Sequence, residues 1–369
     1  HGLLFWRSMT QWIGGLGIIM FTIAVLPIFG VSGLQVFAAE ASGPTHDKVH
    51  PRIGITAKWI WSIYTSLTLI LVVLLMLGGM NWFDSVCHAF ATTGTGGFST
   101  KQASVAYYNS PYIEYVISVF MFISGINFTL LLLFVNRKFK KVIDNAELKW
   151  YFWSVAGFTA IIAVVLYYTS PMGAEEAFRK SLFQVISLHT STGFATDDYM
   201  LWTPVLWGLL TIVMVIGACA GSTGGGIKVS RVIVLFKTMI KELHSYIHPK
   251  SIRKVNLDGK PVEHEIVRSI NVYIVTFVII FASSVFMVAF DGKDLVTNFT
   301  AVLTTINNMG PGLAEVGPTG NFSNFSVFSK FVFMFDMLAG RLELFPLLIL
   351  FHPSAWKDLI SKRAEARKF

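Results

Sequence analysis

The sequence predicts an all-α, polytopic membrane protein assembled from recurring units, and three observations carry that prediction. Hydrophobic residues make up 54% of the 369 positions and charged residues only 14%, whereas a soluble domain carries about a quarter charged. The runs 59–77, 112–135, 150–168, 205–220, 270–290 and 325–351 reach or approach the roughly 20 apolar residues that span a bilayer. Between such runs, three times, a short and weakly amphipathic stretch ends in a glycine-centred loop. The loops are Thr95-Gly96-Gly97-Phe98, Ser191-Thr192-Gly193-Phe194 and Asn308-Met309-Gly310-Pro311-Gly312.

In chain order, His1 opens directly onto the apolar segment 5–27, with no initiator methionine and no signal peptide. This predicts a chain that starts partway into its natural sequence, residues 2–30 having the length of one inner helix. Residues 1–57 then form that inner helix plus a cytoplasmic loop. The units 58–148, 149–265 and 266–369 each read as outer helix, short pore helix, glycine loop and inner helix. The interval from Gly193 to Gly310 exceeds that from Gly97 to Gly193, and the polar excursion 241–265 supplies the excess.

The net charge of +8 is concentrated in 137–141, 237–260 and 362–368, while the connections bearing the glycine loops hold few basic residues. By the positive-inside rule the basic connections are cytoplasmic and the glycine loops open from the outer side. A topology-setting face explains the charge better than nucleic-acid binding does. Cys87 and Cys219, both in apolar surroundings, read as small core residues.

Irregular backbone at membrane depth is tolerated only when buried or lining a water-filled path. Glycine and small hydroxyl residues leave carbonyls free to replace a cation's hydration shell. The predicted pore helices begin with acids, Asp84, Glu175 with Glu176, and Asp294, which suit a helix N-terminus. Their negative C-terminal ends then face the loops, so the pathway is for cations. Thr95, Gly96, Gly97, Phe98, Ser191, Thr192, Gly193, Phe194, Asn308, Met309, Gly310 and Pro311 are therefore the expected filter. A tight turn or close helix approach explains any one of these glycines alone; three copies in register favour the filter.

The inner helix of unit 149–265 is interrupted by Gly221-Ser222-Thr223-Gly224-Gly225-Gly226 and resumes at Ile227. Three consecutive glycines cost roughly 1 kcal/mol each relative to alanine, so the break reads as intended: a loop obstructing ions beneath the filter, or else a packing kink. A nucleotide-binding loop is excluded because Ile227 separates the last glycine from Lys228 and Val229 follows. Arg341 lies within the last inner helix, too near Glu343 in sequence to share a helical face with it. Projection into the cavity below the filter and capping of loop carbonyls both suit it. Lys228 and Arg231 also suit snorkelling anchors at the cytoplasmic boundary. His88 and His189 read as packing histidines, since no second ligand stands at metal-site spacing.

The segments Phe5-Trp6-Arg7-Ser8, Gln11-Trp12-Ile13-Gly14-Gly15-Leu16-Gly17, the two Gly-Phe loops, Gly221–Lys228 and Gly340-Arg341-Leu342-Glu343 resemble the Trk/Ktr/HKT superfamily of potassium transporters, and within it the bacterial Trk-type membrane subunits. The resemblance covers nearly the whole chain. It implies four units around one potassium pathway, each giving a loop to the filter, with the first loop absent from this sequence, so that this chain alone should not conduct. It implies the obstructing role for Gly221–Gly226 with Arg341, and potassium as transported ion with no cofactor bound by this chain. It further implies a bacterial inner-membrane location, a homodimer and a soluble nucleotide-binding regulatory subunit of the TrkA type. Asn308-Met309 and Pro311 depart from the other loops, which puts strict exclusion of sodium in doubt.

A coupled secondary transporter using the broken helix, moving potassium with sodium or protons, is the competing class. The scarcity of buried acids weighs against it. An intramembrane enzyme would need a nucleophile and base, and neither Ser222 nor Cys219 has a histidine at a suggestive spacing.

Overall fold

The computed structural model describes residues 1–16, 53–249, 254–342, 344–350 and 353. The expected loop within 17–52, Gly17, Glu343 and the basic tail 362–368 lie outside these residues. Helix α1 (Gly2–Gly15) is followed by α2 (Ile53–Leu77), whose apolar residues run the full length of a bilayer crossing. Two later helices share that property, α7 (Ala146–Thr169) and α11 (His264–Val288). Their outward faces are apolar and exposed, Leu69 being 62% accessible, as lipid contact requires.

A short helix follows each of these three: α3 (Trp82–Thr93), α8 (Ala174–His189) and α12 (Leu295–Ile306). Local chemistry fixes their starts. Asn81 accepts the Asp84 N–H at 2.8 Å, and Asp294 accepts the Thr297 N–H at 3.0 Å, each satisfying a donor the first turn leaves open. Glu175 and Glu176 lie in the first turn of α8, where the helix dipole favours them. All three helices are short of a membrane span and largely buried, against α2, α7 and α11 respectively.

Three expected continuous runs are broken instead. The run 112–135 divides into α4 (Pro111–Ser124) and α5 (Phe128–Val135), bent by 100° at Gly125-Ile126-Asn127. Asn127, placed in a spanning helix from sequence, caps α5 by accepting the Thr129 N–H at 2.8 Å. In the run 205–220, helix α9 (Pro204–Val215) stops early. The break therefore covers 216–228 and is longer than the glycine run, before α10 (Val229–Ile247) resumes. Ile216 and Ile227 bridge in parallel across its mouth. The run 325–351 divides into α13 (Val327–Arg341) and α14 (Leu344–Leu350). The bend at 125–127 and the early end of α9 were hidden because their backbone partners lie far away in sequence: Gly125 accepts the Cys219 N–H at 3.1 Å and Gly221 accepts the Phe128 N–H at 3.0 Å.

The short helix α6 (Phe139–Ile143) joins α5 to α7. Between α10 and α11 the chain forms a hairpin, β1 (Asn256–Leu257) with β2 (Lys260–Pro261), turned by Asp258 and Gly259 in left-handed conformations. Leu257 is buried in the main core. That core draws on residues of α2, α3, α4, α7, α8, α9, α10 and α12, so the short helices are part of it.

Candidate ion pathway

The three glycine loops share one backbone form. Each short helix ends by placing a non-glycine residue at positive φ, Thr95 (50°), Ser191 (54°) and Asn308 (53°). Two residues later the glycine also has positive φ: Gly97 (69°), Gly193 (81°) and Gly310 (99°). The intervening N–H returns to the helix five residues back in every copy, Gly96 to Ala91 at 2.7 Å, Thr192 to Ser187 at 2.9 Å and Met309 to Thr304 at 2.8 Å. The same hydrogen-bond pattern and the same signs of φ recur in sequences as different as Thr-Gly-Gly, Ser-Thr-Gly and Asn-Met-Gly. The carbonyls of Thr95, Ser191, Thr192, Asn308 and Met309 accept no hydrogen bond from any described residue.

The loops also meet in sequence order. A Cβ at Gly97 would collide with the Thr192 carbonyl, and one at Gly193 with the Met309 carbonyl and the Pro311 ring. The side chains diverge. Phe194 is fully buried and stacks on His88 at 5.7 Å, whereas Phe98 is exposed beneath the Arg7 guanidinium at 4.3 Å. Tyr199 donates to the Gly312 carbonyl at 2.8 Å, tying the chain beyond one loop to the next. Gln11, on α1, donates to the Gly96 carbonyl at 2.9 Å.

The segment 216–228 lies where the three short helices end. Thr223 accepts the Thr95 hydroxyl at 2.8 Å, the Gly225 N–H donates to the Ser191 hydroxyl, and a Cβ at Gly225 would strike the Asn307 carbonyl. Gly224 sits against the Thr190 carbonyl. Only glycine allows so close an approach between backbones. Gly221 and Gly226 have positive φ, and Ser222 turns back through its hydroxyl to the Cys219 carbonyl at 2.6 Å.

Of the two placements open to Arg341, the structure has the carbonyl cap. It donates to Thr223 at 3.0 Å, to Gly15 at 3.0 Å and to Gly14, joining the broken segment to the end of α1. Lys228 is buried and donates to the Gly224 carbonyl, so it is no boundary anchor. Arg231 lies over the Tyr273 ring at 4.0 Å. His88 bonds the Asp84 carbonyl at 2.7 Å and the Ser99 hydroxyl at 2.9 Å, and His189 bonds the Ser154 hydroxyl at 2.8 Å. Both are packing residues. No group of three metal-ligating side chains occurs among the described residues.

The described residues bury more acids than the sequence suggested, among them Glu114, paired with Arg179 at 2.5 Å. Glu147 is buried with its Oε1 accepting the N–H groups of Ala220 at 2.7 Å and Ser230 at 3.1 Å. Asp336 is fully buried and accepts the Ser284 hydroxyl at 2.7 Å.

Residues 1–358 match the family model for TrkH, a cation transport protein. The chain is 38% identical over 361 residues to the Trk system potassium uptake protein TrkH of Escherichia coli K12, covering 97% of this chain and 74% of that one. It is 33% identical over 357 residues to the TrkG protein of the same strain, covering 96% and 73%. The crystal structure of the potassium transporter TrkH from Vibrio parahaemolyticus superposes with a TM-score of 0.82 at 34% identity, covering 96% of this chain and 73% of that one. With its short helices, glycine turns and broken inner helices, the chain belongs to the TrkH family of membrane cation transporters.

Proposed function

We propose that this chain forms part of a pore that carries potassium into a bacterial cell across the inner membrane, with a filter that includes Thr95–Phe98, Ser191–Phe194 and Asn308–Pro311. The observation that carries the reading is the shared turn, which leaves unbonded carbonyls at the convergence of three helix C-termini. Partial negative charge and bare carbonyls at that point replace a cation's water. Residues 58–148, 149–265 and 266–369 act as pseudosymmetric units around this path, and 1–57 belongs to a further one. The segment 216–228, centred on Gly221–Gly226 and held by Arg341, obstructs the path from the inner side. Relatives named as parts of a Trk system support a partner; a TrkA-type nucleotide-binding subunit docks on the basic cytoplasmic face, and two copies of the membrane chain assemble.

Gly193→Ala tests the filter. The φ of 81° costs an alanine roughly 1 kcal/mol, and the added methyl displaces the Met309 carbonyl. Potassium uptake in the full-length protein drops about tenfold or sodium enters at a comparable rate. Unchanged rate and selectivity at normal yield contradict the filter assignment.

Asp336 favours a second reading, ion-coupled transport, because proton relays are one of the roles that buried acids take in membrane helices. Potassium flux driven by voltage alone, without proton or sodium gradients, excludes obligatory coupling; its absence supports it.

A further inference from the structure

The segment 216–228 is bonded by residues at the ends of the short helices, by Arg341 and by the break between α4 and α5, where Ser124, Gly125 and Phe128 meet Thr223, Cys219 and Gly221. One more contact comes from Glu147, and the same side chain reaches α10 just beyond the segment. One carboxylate oxygen, buried, accepts the N–H of Ala220 within the broken segment and the N–H of Ser230 at the start of α10. Helix α10 has no side-chain cap of its own, so Glu147 supplies from α7 the acceptor that its open N-terminal donors require. A carboxylate is stable at this depth only with such donors, and the positive end of α10 adds to them. The two N–H groups lie on opposite sides of Gly221–Gly226, and one atom draws them together.

Glu147 is itself seated from the hairpin. Asp258 at the hairpin turn accepts the Ala146 N–H at 2.6 Å and the Asn145 amide at 3.1 Å. The hairpin is braced by buried Leu257 and by Lys237, which donates to the Asn256 carbonyl at 2.8 Å. A continuous line of contacts thus runs from hairpin to Asp258, to the first turn of α7, to Glu147 and into the broken segment.

We propose that Glu147 is a positioning residue that, together with Arg341, holds 216–228 across the path, and that Asp258 seats it, so that movement of the hairpin releases the segment. This rests on the obstructing role assigned to 216–228 above. It gives a cytoplasmic partner a mechanical handle that touches neither filter nor pore.

The test uses the full-length protein in proteoliposomes, with potassium flux normalised to folded protein and hydrogen exchange followed on the peptide containing Ala220. Glu147→Ala leaves two buried N–H groups unpaired and raises basal flux about tenfold, with potassium over sodium selectivity unchanged and faster exchange. Asp258→Ala raises flux by a smaller factor, about twofold to threefold. The double variant matches Glu147→Ala alone, because the seat acts only through the clamp. Wild-type flux and exchange in Glu147→Ala at normal yield, or a double variant whose gains multiply, overturns the proposal. Should Glu147→Ala not fold, Glu147→Asp decides, since its shorter side chain cannot reach both N–H groups: raised flux supports the clamp and unchanged flux overturns it. A variant with 216–228 shortened by four residues separates the two readings. If it conducts freely while Glu147→Ala does not, the obstruction stands and the clamp is wrong. If it stays shut, the obstruction itself is wrong.

Discussion

Arg341 shows how much one residue depends on its partners. Its guanidinium reaches three carbonyls on two separate elements, Thr223 on the broken segment and Gly14 with Gly15 on α1, which a planar fork of donors does and a lysine ammonium does not. Arg341→Ala is therefore expected to raise basal flux, and Arg341→Lys to behave like alanine. Flux assays on both separate bonding from charge: a wild-type lysine variant would mean that a positive charge near the path is all that matters. Arg341 was legible in sequence because a charge inside an apolar helix is conspicuous. Glu147 was not, because its partners are backbone groups at Ala220 and Ser230, far along the chain, and an acid in a helix's first turn looks ordinary. Which carbonyls Arg341 would meet was likewise beyond reach, since Gly14 and Thr223 are brought together only by folding.

Among the elements, the short helices and the break at Gly221–Gly226 were readable in advance, whereas the bend at 125–127 and the end of α13 at Arg341 were not. Asp84, the Glu175-Glu176 pair and Asp294 mark helix starts, and glycine marks each end, so local chemistry suffices. Gly125-Ile126-Asn127 sits in an apolar run with no proline, and the 100° bend there follows from packing. A Cβ at Gly125 would collide with the Tyr151 hydroxyl and press on Thr190. Gly125→Val should thus lower folded yield and destabilise the protein by about 1–3 kcal/mol, measured by thermal unfolding in detergent. Equal stability would show that the bend tolerates a side chain and that its contact with α8 is loose. The true extent of the second break, 216–228, was hidden for a related reason. Residues 216–220 are apolar and read as helix, yet the chain there turns to bond Gly125 and Ile227 instead.

At the scale of the molecule, hydropathy and charge placement sufficed for an all-α membrane protein, and the recurrence of glycine turns for a cation path. The contacts that join the turns, Gly97 to Thr192 and Gly193 to Met309, could not be read from spacing. They depend on how α3, α8 and α12 converge. A regulated pore of this kind should respond to its partner: affinity purification from native membranes is expected to recover a nucleotide-binding subunit, with flux changing on nucleotide addition. A lone chain whose flux ignores nucleotides would remove the cytoplasmic regulation from the account. The central claim, that the three turns bind a permeating ion, is tested most directly by anomalous diffraction from crystals of the full-length protein grown in rubidium. The account predicts rubidium peaks at the carbonyls of Thr95, Ser191, Thr192, Asn308 and Met309, lost when Gly193 is replaced by alanine. Rubidium density elsewhere in the membrane region, with none at these carbonyls, would contradict it.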